Sequence, residues 1–570
     1  MKQNKRTDNR MRAVARDSFS GFRPIGEKLG KALGTFGLAL VLIELLLITV
    51  LAICFTSLFD IPGEEILRVY SVLSPKGTIV VASIALLPLV FGVLALFKKA
   101  LRTRPTEPGL AIVIAATSAF GIWWVLYQGV VSSGFADSFN LLTYAKATAE
   151  SGWEGFRTAE ALNLQMASSY FSLYPFQAGV FWFFYAMYRL FGDNAVLALQ
   201  LMNVFANEVT ILCIYSIGNT LSRDRASKAV LLGLLLMCIP LHLSASLPYG
   251  NCLGMAFGSA FLLCQARLLE FYERQENDAD YKKIGTYAVT SLGLLICTVV
   301  IKSTFVLFAI AALIAWAVSL LRRGGWLGVF GTVSVVLAIL LSSSLADVPV
   351  KALEDRSGFE FGEGMPKTSW ILMGLGRSSI SGMPGWWDFD AYNIFIEARG
   401  DMPAQKSLAA EGIAEAVKGF VDNPMDGIRF FAAKLATEWA DPTFEGLHYA
   451  SQGIRQDGSR FDSYGLLGYG IRYHLFMSVI DAFQSFVYIS SFIALCSSFH
   501  KRNADGVVLL LAALFFTGFG CYLLWEAKSI YVLPFFMLLL PLSAKGCTLI
   551  SDTLRKLFRL TGTRAAGLCQ

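Results

Sequence analysis

The chain has 570 residues, of which 55% are hydrophobic and only 16% charged, with a net charge of +6. Its mean hydropathy is +0.55. Soluble domains are about one quarter charged, so this balance excludes a soluble enzyme, a disordered chain and a nucleic-acid-binding module. Ten cysteines are present, but most sit inside apolar runs and no C-x-x-C pair occurs. Neither a disulfide framework nor a zinc site is therefore expected. Four scattered histidines give no metal-spaced cluster either.

Residues 1–32 hold nine Lys/Arg against three Asp/Glu and lack the layout of a signal peptide. They read as a basic cytoplasmic N-terminus. Apolar runs of bilayer-spanning length follow at 33–56, 78–97, 109–132, 195–221, 226–246, 251–272, 284–300, 304–321, 325–345, 474–499, 505–525 and 529–550, twelve in all. The expected fold is thus an all-α integral membrane protein of about twelve transmembrane helices. One further stretch, 175–192, is ambiguous. Counting it as a crossing would put Arg223, Arg225, Lys228, Lys282, Lys283, Arg322 and Arg323 on the outer side. Laying it along the outer surface puts all of them inside, with Lys98, Lys99, Arg102, Lys501, Arg502, Arg555, Lys556 and Arg559. The positive-inside rule favours the uncrossed version, with both termini cytoplasmic.

Two outward regions result, 133–194 and 346–470. The second has 18 Asp/Glu and 11 Lys/Arg and reads as a small, loop-rich cap with a helix over 404–421. The divisions are then 1–32, a two-helix extension at 33–105, a membrane core at 106–345, the large loop at 346–470, C-terminal membrane helices at 471–550 and a tail at 551–570. No internal repeat is evident, which argues against an inverted-repeat transporter.

The first outer loop opens Gly134-Phe135-Ala136-Asp137-Ser138. A carboxylate just beyond a span sits where water and a helix end meet, placed to act as a general base. Asp137 also reads as the N-cap of a helix over 139–150. It is followed by Ser151-Gly152-Trp153, Leu173-Tyr174-Pro175 and Tyr188-Arg189-Leu190-Phe191-Gly192. Near the other end comes Trp525-Glu526-Ala527-Lys528-Ser529-Ile530-Tyr531, and before it Trp439-Ala440-Asp441-Pro442-Thr443-Phe444.

In this order and spacing the motifs resemble family 39-type membrane glycosyltransferases of the GT-C superfamily. These include the protein O-mannosyltransferases and the lipid A aminoarabinose transferases, and the likeness is to bacterial members. It covers about 109–550. It implies a GT-C-like fold, a plasma-membrane enzyme of the cell envelope, and transfer of a sugar from a polyprenyl-phosphate donor to an acceptor hydroxyl at the outer leaflet, with inversion. Two departures stand out: where many relatives carry an acidic residue, this chain reads Pro248-Tyr249-Gly250-Asn251, and Ile530 replaces a late arginine. With the second carboxylate missing, a divalent metal is not expected, since hard cations take several oxygen ligands. No other cofactor is implied. The partners implied are the lipid-linked sugar, the bilayer and an acceptor that is a glycan, lipid or protein.

By the same resemblance Asp137 is the candidate base. Lys528, Lys302 and Arg377 are the candidate phosphate cations. Each has a plainer reading as well: Lys528 paired with Glu526 or Asp137, Lys302 snorkelling to the interface, Arg377 as a loop arginine. Tyr144, Tyr174, Trp387, Asp388 and Glu526 are candidate acceptor or sugar contacts. For Trp387 and its neighbours, anchoring at the interface is the alternative. His448 reads as a solvated loop residue, and Glu44 and Glu208 as helix–helix hydrogen bonders or a polar path through the bundle. Two other classes stay open: a lipid-linked glycan flippase or transporter, and a polysaccharide polymerase or ligase.

Overall fold

The computed structural model describes residues 23–59, 66–74, 77–101, 105–131, 136–165, 169–274, 280–461, 471–501 and 504–568. Gly134 and Phe135 of the first motif, Arg102 and Arg502 lie outside them. Long apolar runs without charge favour helix in a bilayer, where every backbone N–H and C=O needs an internal partner. The chain is accordingly an all-α multi-pass membrane protein. Among the described residues ten helices are long and apolar enough to cross, and two bent helix pairs raise the number to as many as twelve.

In chain order, α1 (Arg23–Cys54) leads into a hairpin of β1 (Phe55–Phe59) and β2 (Leu67–Ser71). The strands pair antiparallel, Phe55 opposite Ser71. Helices α2 (Thr78–Leu101) and α3 (Glu107–Gln128) follow, then α4 (Ala136–Gln165), which turns at Gly152 (φ 64°). Next come α5 (Ala178–Phe191), α6 (Ala195–Leu221), α7 (Arg225–Met237), α8 (Asn251–Arg274), α9 (Tyr281–Ile301), α10 (Leu307–Arg323) and α11 (Trp326–Leu345). The large loop folds as α12 (Val348–Ser357), α13 (Lys367–Leu375), α14 (Asp390–Glu397), α15 (Met402–Asp422), α16 (Pro424–Trp439) and α17 (Gly446–Ala450). The helix expected over 404–421 is present as α15, within a cap that holds further helices. The chain closes with α18 (Ile471–His500), α19 (Gly506–Leu524), α20 (Ser529–Met537) and α21 (Leu540–Leu568).

The ambiguous stretch resolves by length. The apolar run Pro175–Leu221 has 47 residues, far more than one crossing, and it breaks at Gly192 (φ 54°, ψ −129°). Helix α5, with 14 residues, is about 21 Å long, too short for a ~30 Å hydrocarbon core. It packs instead on α4, α6 and α12.

Both bent pairs contain proline, the usual cause of a kink. Arg225–Met237 and Ile239–Ser246 meet at 43°, and Ser529–Met537 and Leu540–Leu557 at 55°. The first break takes 241–247 out of a continuous helix, and α6 supplies donors to three of its carbonyls. Asn207 Nδ2 donates to the Leu241 carbonyl (2.6 Å), Gln200 Nε2 to Ser246 (3.0 Å) and Asn203 Nδ2 to Leu247 (2.6 Å). Gln200, Asn203 and Asn207 are all buried and fall at i, i+3 and i+7, one face of one helix. Elsewhere in the bundle, Glu208 Oε2 accepts from Thr117 Oγ1 at 2.9 Å, linking α6 to α3.

The orientation is open to a direct check. Cysteines placed at the exposed positions Arg225 and Ser407 of a cysteine-free protein should behave oppositely toward an impermeant thiol reagent in intact cells. Position 407 should label and 225 should not. Labelling at 225 from outside would mean that the α5 stretch crosses.

Candidate functional site

Asp137 is the second residue of α4 and half-buried. Its Oδ1 accepts a hydrogen bond from the Tyr170 hydroxyl (2.9 Å) and its Oδ2 one from the Tyr249 hydroxyl (3.2 Å). Tyr170 opens the short helix Tyr170–Leu173, which is capped by Ser169 Oγ. Tyr249 lies in the irregular segment held by α6, and its hydroxyl also accepts from the Gln177 amide. Burial and the Asp137 charge push both phenols well above the ordinary tyrosine range, so both stay protonated and donate to the carboxylate.

Lys302 follows α9 with an extended backbone (φ −146°). It is only 9% exposed. Its Nζ lies 4.4 Å from the centroid of the Tyr249 ring and 4.9 Å from that of Tyr531, a cation–π seat on two faces. Small residues permit this approach: a Cβ at Gly254 would come within 2.9 Å of the Lys302 Cβ. Burial above all, with the nearby Lys528 charge, brings the Lys302 ammonium down to about 8 against the raising charges of Asp137 and Glu526. The charges of Asp137, Glu526 and Lys528 therefore all bear on Lys302.

The segment carrying Glu526 and Lys528 is pinned on both sides. Ala527 N donates to the Gly385 carbonyl at 2.7 Å. Lys434, fully buried in α16, donates to the carbonyls of Gly374 (2.7 Å) and Trp525 (2.6 Å), joining the C-terminal ends of α13 and α19. Burial lowers its ammonium to about 8. On the far side Ser529 Oγ donates to Asp441 Oδ2 at 2.7 Å, with Glu445 Oε1 at 3.3 Å. Asp441 also accepts from Thr443 N (2.9 Å) and Glu445 N (2.7 Å). These bonds hold Phe444 (φ 48°) and Glu445 (φ 62°) in the left-handed region, a conformation that costs about 1–3 kcal/mol per residue unless its surroundings enforce it.

The two-helix extension forms part of the wall. Ser57 donates from N to the Ala440 carbonyl (2.8 Å) and from Oγ to that of Ala436 (2.8 Å). Phe59 stacks on His448 at 4.2 Å. His448 is therefore not the solvated loop residue its sequence context suggested. It is fully buried, and burial with the nearby Lys528 charge pushes its imidazole down to about 3.

At the rim, Tyr174 and Trp387 pack in one cluster, and burial raises the Tyr174 phenol with the charges of Asp137 and Glu526 adding to it. Trp370 stacks on Trp525 at 5.8 Å and meets Tyr174 edge-on at 6.3 Å. Three sequence candidates lie apart from this group. Tyr144 is fully buried against Phe156 and Phe171 and donates to Glu160. Asp388 is taken up within its own loop, accepting from Ser379 N (2.7 Å), Ser379 Oγ (2.8 Å) and Phe389 N (2.6 Å). Arg377 is exposed, with its guanidinium 5.5 Å from the Phe430 ring centroid. Conversely, Tyr170, Gln177 and Lys434 escaped the sequence reading, and the motif at 439–444 was noted without the role its Asp441 plays in the turn to Glu445. The signal available for them was weak, since aromatics and amides beside spans usually mean packing.

No protein-family model matches the chain, and no curated protein matches it. Among solved structures it is similar to the crystal structure of the Archaeoglobus fulgidus oligosaccharyltransferase in the apo form, with a TM-score of 0.38 and 11% identity. That likeness covers 81% of this chain and 52% of the other, so the chain spans about half the length of its neighbour.

The pinning of the Glu526 segment yields a stability test. Lys434→Met leaves two carbonyls without their charged donor, and such bonds contribute roughly 1.5–3 kcal/mol each. The variant should melt several degrees lower in detergent and exchange amide hydrogens faster over 374–388. Lys406→Met, on an exposed face, should leave both measurements unchanged.

Proposed function

We propose that this protein is a membrane glycosyltransferase that moves a sugar from a polyprenyl-phosphate donor to an acceptor hydroxyl, with inversion at the anomeric carbon. The observation that carries the reading is the gathering of Asp137, Lys302, Glu526 and Lys528, from three distant parts of the chain, into one site at the ends of apolar helices. The motif resemblance to family 39-type enzymes names the same carboxylate and the same late lysine.

The chemistry needs few groups. A glycosyl phosphate already has a good leaving group, so no strong general acid is required. Asp137 takes the proton of the acceptor hydroxyl while the acceptor oxygen bonds to the anomeric carbon. The bond from that carbon to the phosphate oxygen breaks, and its electron pair leaves with the polyprenyl phosphate. Lys302 and Lys528 hold the phosphate charge in a site of low dielectric, where such contacts are strongest. Tyr170 and Tyr249 fix the carboxylate by donating to one oxygen each. Tyr174, on which the charges of Asp137 and Glu526 both act, and its packing neighbour Trp387 suit the sugar or acceptor side together with Glu526. A divalent metal has no part in this reading. Asn251 stands where relatives carry an acid, and the ammonium of Lys302 would repel a second cation placed between Asp137 and Glu526.

Three outcomes test the proposal. Asp137→Asn keeps the size and the capping ability of the side chain but removes the base. Transfer at saturating donor should fall by roughly 10²–10⁴-fold with donor binding retained; activity within threefold of wild type would refute the assignment. Lys302 predicts a pH dependence. Its ammonium is charged below about 8 and discharges above it, so donor affinity should decline through pH 8 on the alkaline side. Lys302→Arg, which stays charged, should abolish that decline. Finally, turnover should survive EDTA; loss in chelator with recovery on adding magnesium or manganese would show a metal requirement.

A further inference from the structure

Asp137 and Lys302 carry opposite charges in one partly buried site, yet they form no ion pair within 4.0 Å. One residue, Tyr249, contacts both. Its hydroxyl lies 3.2 Å from Asp137 Oδ2, and its ring face lies 4.4 Å from Lys302 Nζ. The orientation is fixed at the atomic level. The Gln177 amide nitrogen has only hydrogens to offer, so the Tyr249 oxygen accepts from it and directs its own proton to Asp137. The backbone is fixed as well: Tyr249 N donates to the Leu247 carbonyl at 2.9 Å, whose oxygen is held by Asn203. Gly250 packs so closely that a Cβ there would lie 2.7 Å from the Ile301 carbonyl oxygen.

We propose that Tyr249 is a positioning residue that keeps the base and the phosphate cation apart. Its hydroxyl occupies the carboxylate and its ring occupies the ammonium, so the two do not collapse into a pair. A direct pair would neutralise both. Lys302 would lose its free charge for the donor phosphate, and Asp137 its ability to accept a proton. Tyr170 holds the other carboxylate oxygen, but no cation lies over its ring among the described residues. The groups facing Lys302 are Asp137, Glu526, Lys528 and the rings of Tyr249 and Tyr531. Asp137 is the carboxylate that the tyrosine screens.

This inference rests on the glycosyltransferase reading for its consequence, but its test has a readout that needs no substrate. The rate of modification of Lys302 by a small amine reagent, followed by peptide mass spectrometry across pH, gives the titration midpoint of that ammonium in the intact protein. In Tyr249→Phe the ring remains, so the midpoint and donor affinity should match wild type within error, while transfer falls at least tenfold. In Tyr249→Ala the pair closes. The midpoint should then rise by about one pH unit or more, as expected for an ammonium gaining a carboxylate partner. Donor affinity should also fall at least tenfold. The rise should vanish in Tyr249→Ala/Asp137→Asn, which isolates the pairwise term. A midpoint in Tyr249→Ala that stays or falls overturns the proposal, as does a Tyr249→Phe variant that transfers within threefold of wild type. If Asp137→Asn alone remained active while the midpoint still rose in Tyr249→Ala, the spacer would stand and the base assignment would fail.

Discussion

The structure depends on one constraint: irregular backbone inside a bilayer must find its hydrogen-bond partners within the protein. The span beginning at Arg225 breaks near Pro240, and three carbonyls of the irregular stretch 241–247 accept from Gln200, Asn203 and Asn207 on α6. That repair lets the chain leave the helix early and deliver Tyr249 as a fixed side chain. Around Tyr249 the turn after α9 brings in Lys302, and the start of α4 brings in Asp137. A continuous helix at 238–250 would bury Tyr249 within a helix face, and the two charges would have nothing between them.

A second support works from the opposite direction. Glu526 and Lys528 follow the end of α19, where the backbone is extended rather than helical (φ −153° at Lys528). Three parts of the large loop hold it there: Lys434 from α16, Gly385, and Asp441 with Glu445 through Ser529. The hairpin of the N-terminal extension then braces α16 through Ser57 and covers His448 with Phe59. The extension is thus part of the architecture of the site. Its contribution is mechanical: it fixes the elements that fix Lys528.

Much of the fold was legible because a bilayer imposes length and composition on each span. The positions of the helices follow from apolar runs, and the stretch 175–192, ambiguous by length, was laid along the surface by the distribution of Lys and Arg. The clustering of Asp137, Lys302, Glu526 and Lys528 was foreshadowed by charge beside apolar runs, where an ionised group is costly unless it has company. What the sequence did not disclose was which loop meets which. Arg377 and Asp388 have suitable chemistry, but one is exposed against the Phe430 ring and the other is consumed by its own turn. Tyr144 has the right neighbours in sequence and lies in the core. His448 looked like a loop residue because nothing local reveals that Phe59, almost four hundred positions earlier, covers it. Tyr249 was visible only as a departure from an acidic pattern; its role as a spacer requires knowing what stands on either side.

The central claim is that the donor phosphate sits on Lys302 and Lys528 with the anomeric carbon presented toward Asp137. Electron cryomicroscopy of the protein bound to a non-transferable polyprenyl-phosphate sugar analogue tests it most directly. The account predicts phosphate density within hydrogen-bonding reach of both ammonium groups, and the sugar between them and the Asp137 carboxylate beneath Tyr174 and Trp387. Phosphate density at Arg377, or at any place from which Asp137 cannot reach the anomeric carbon through one acceptor oxygen, would contradict it.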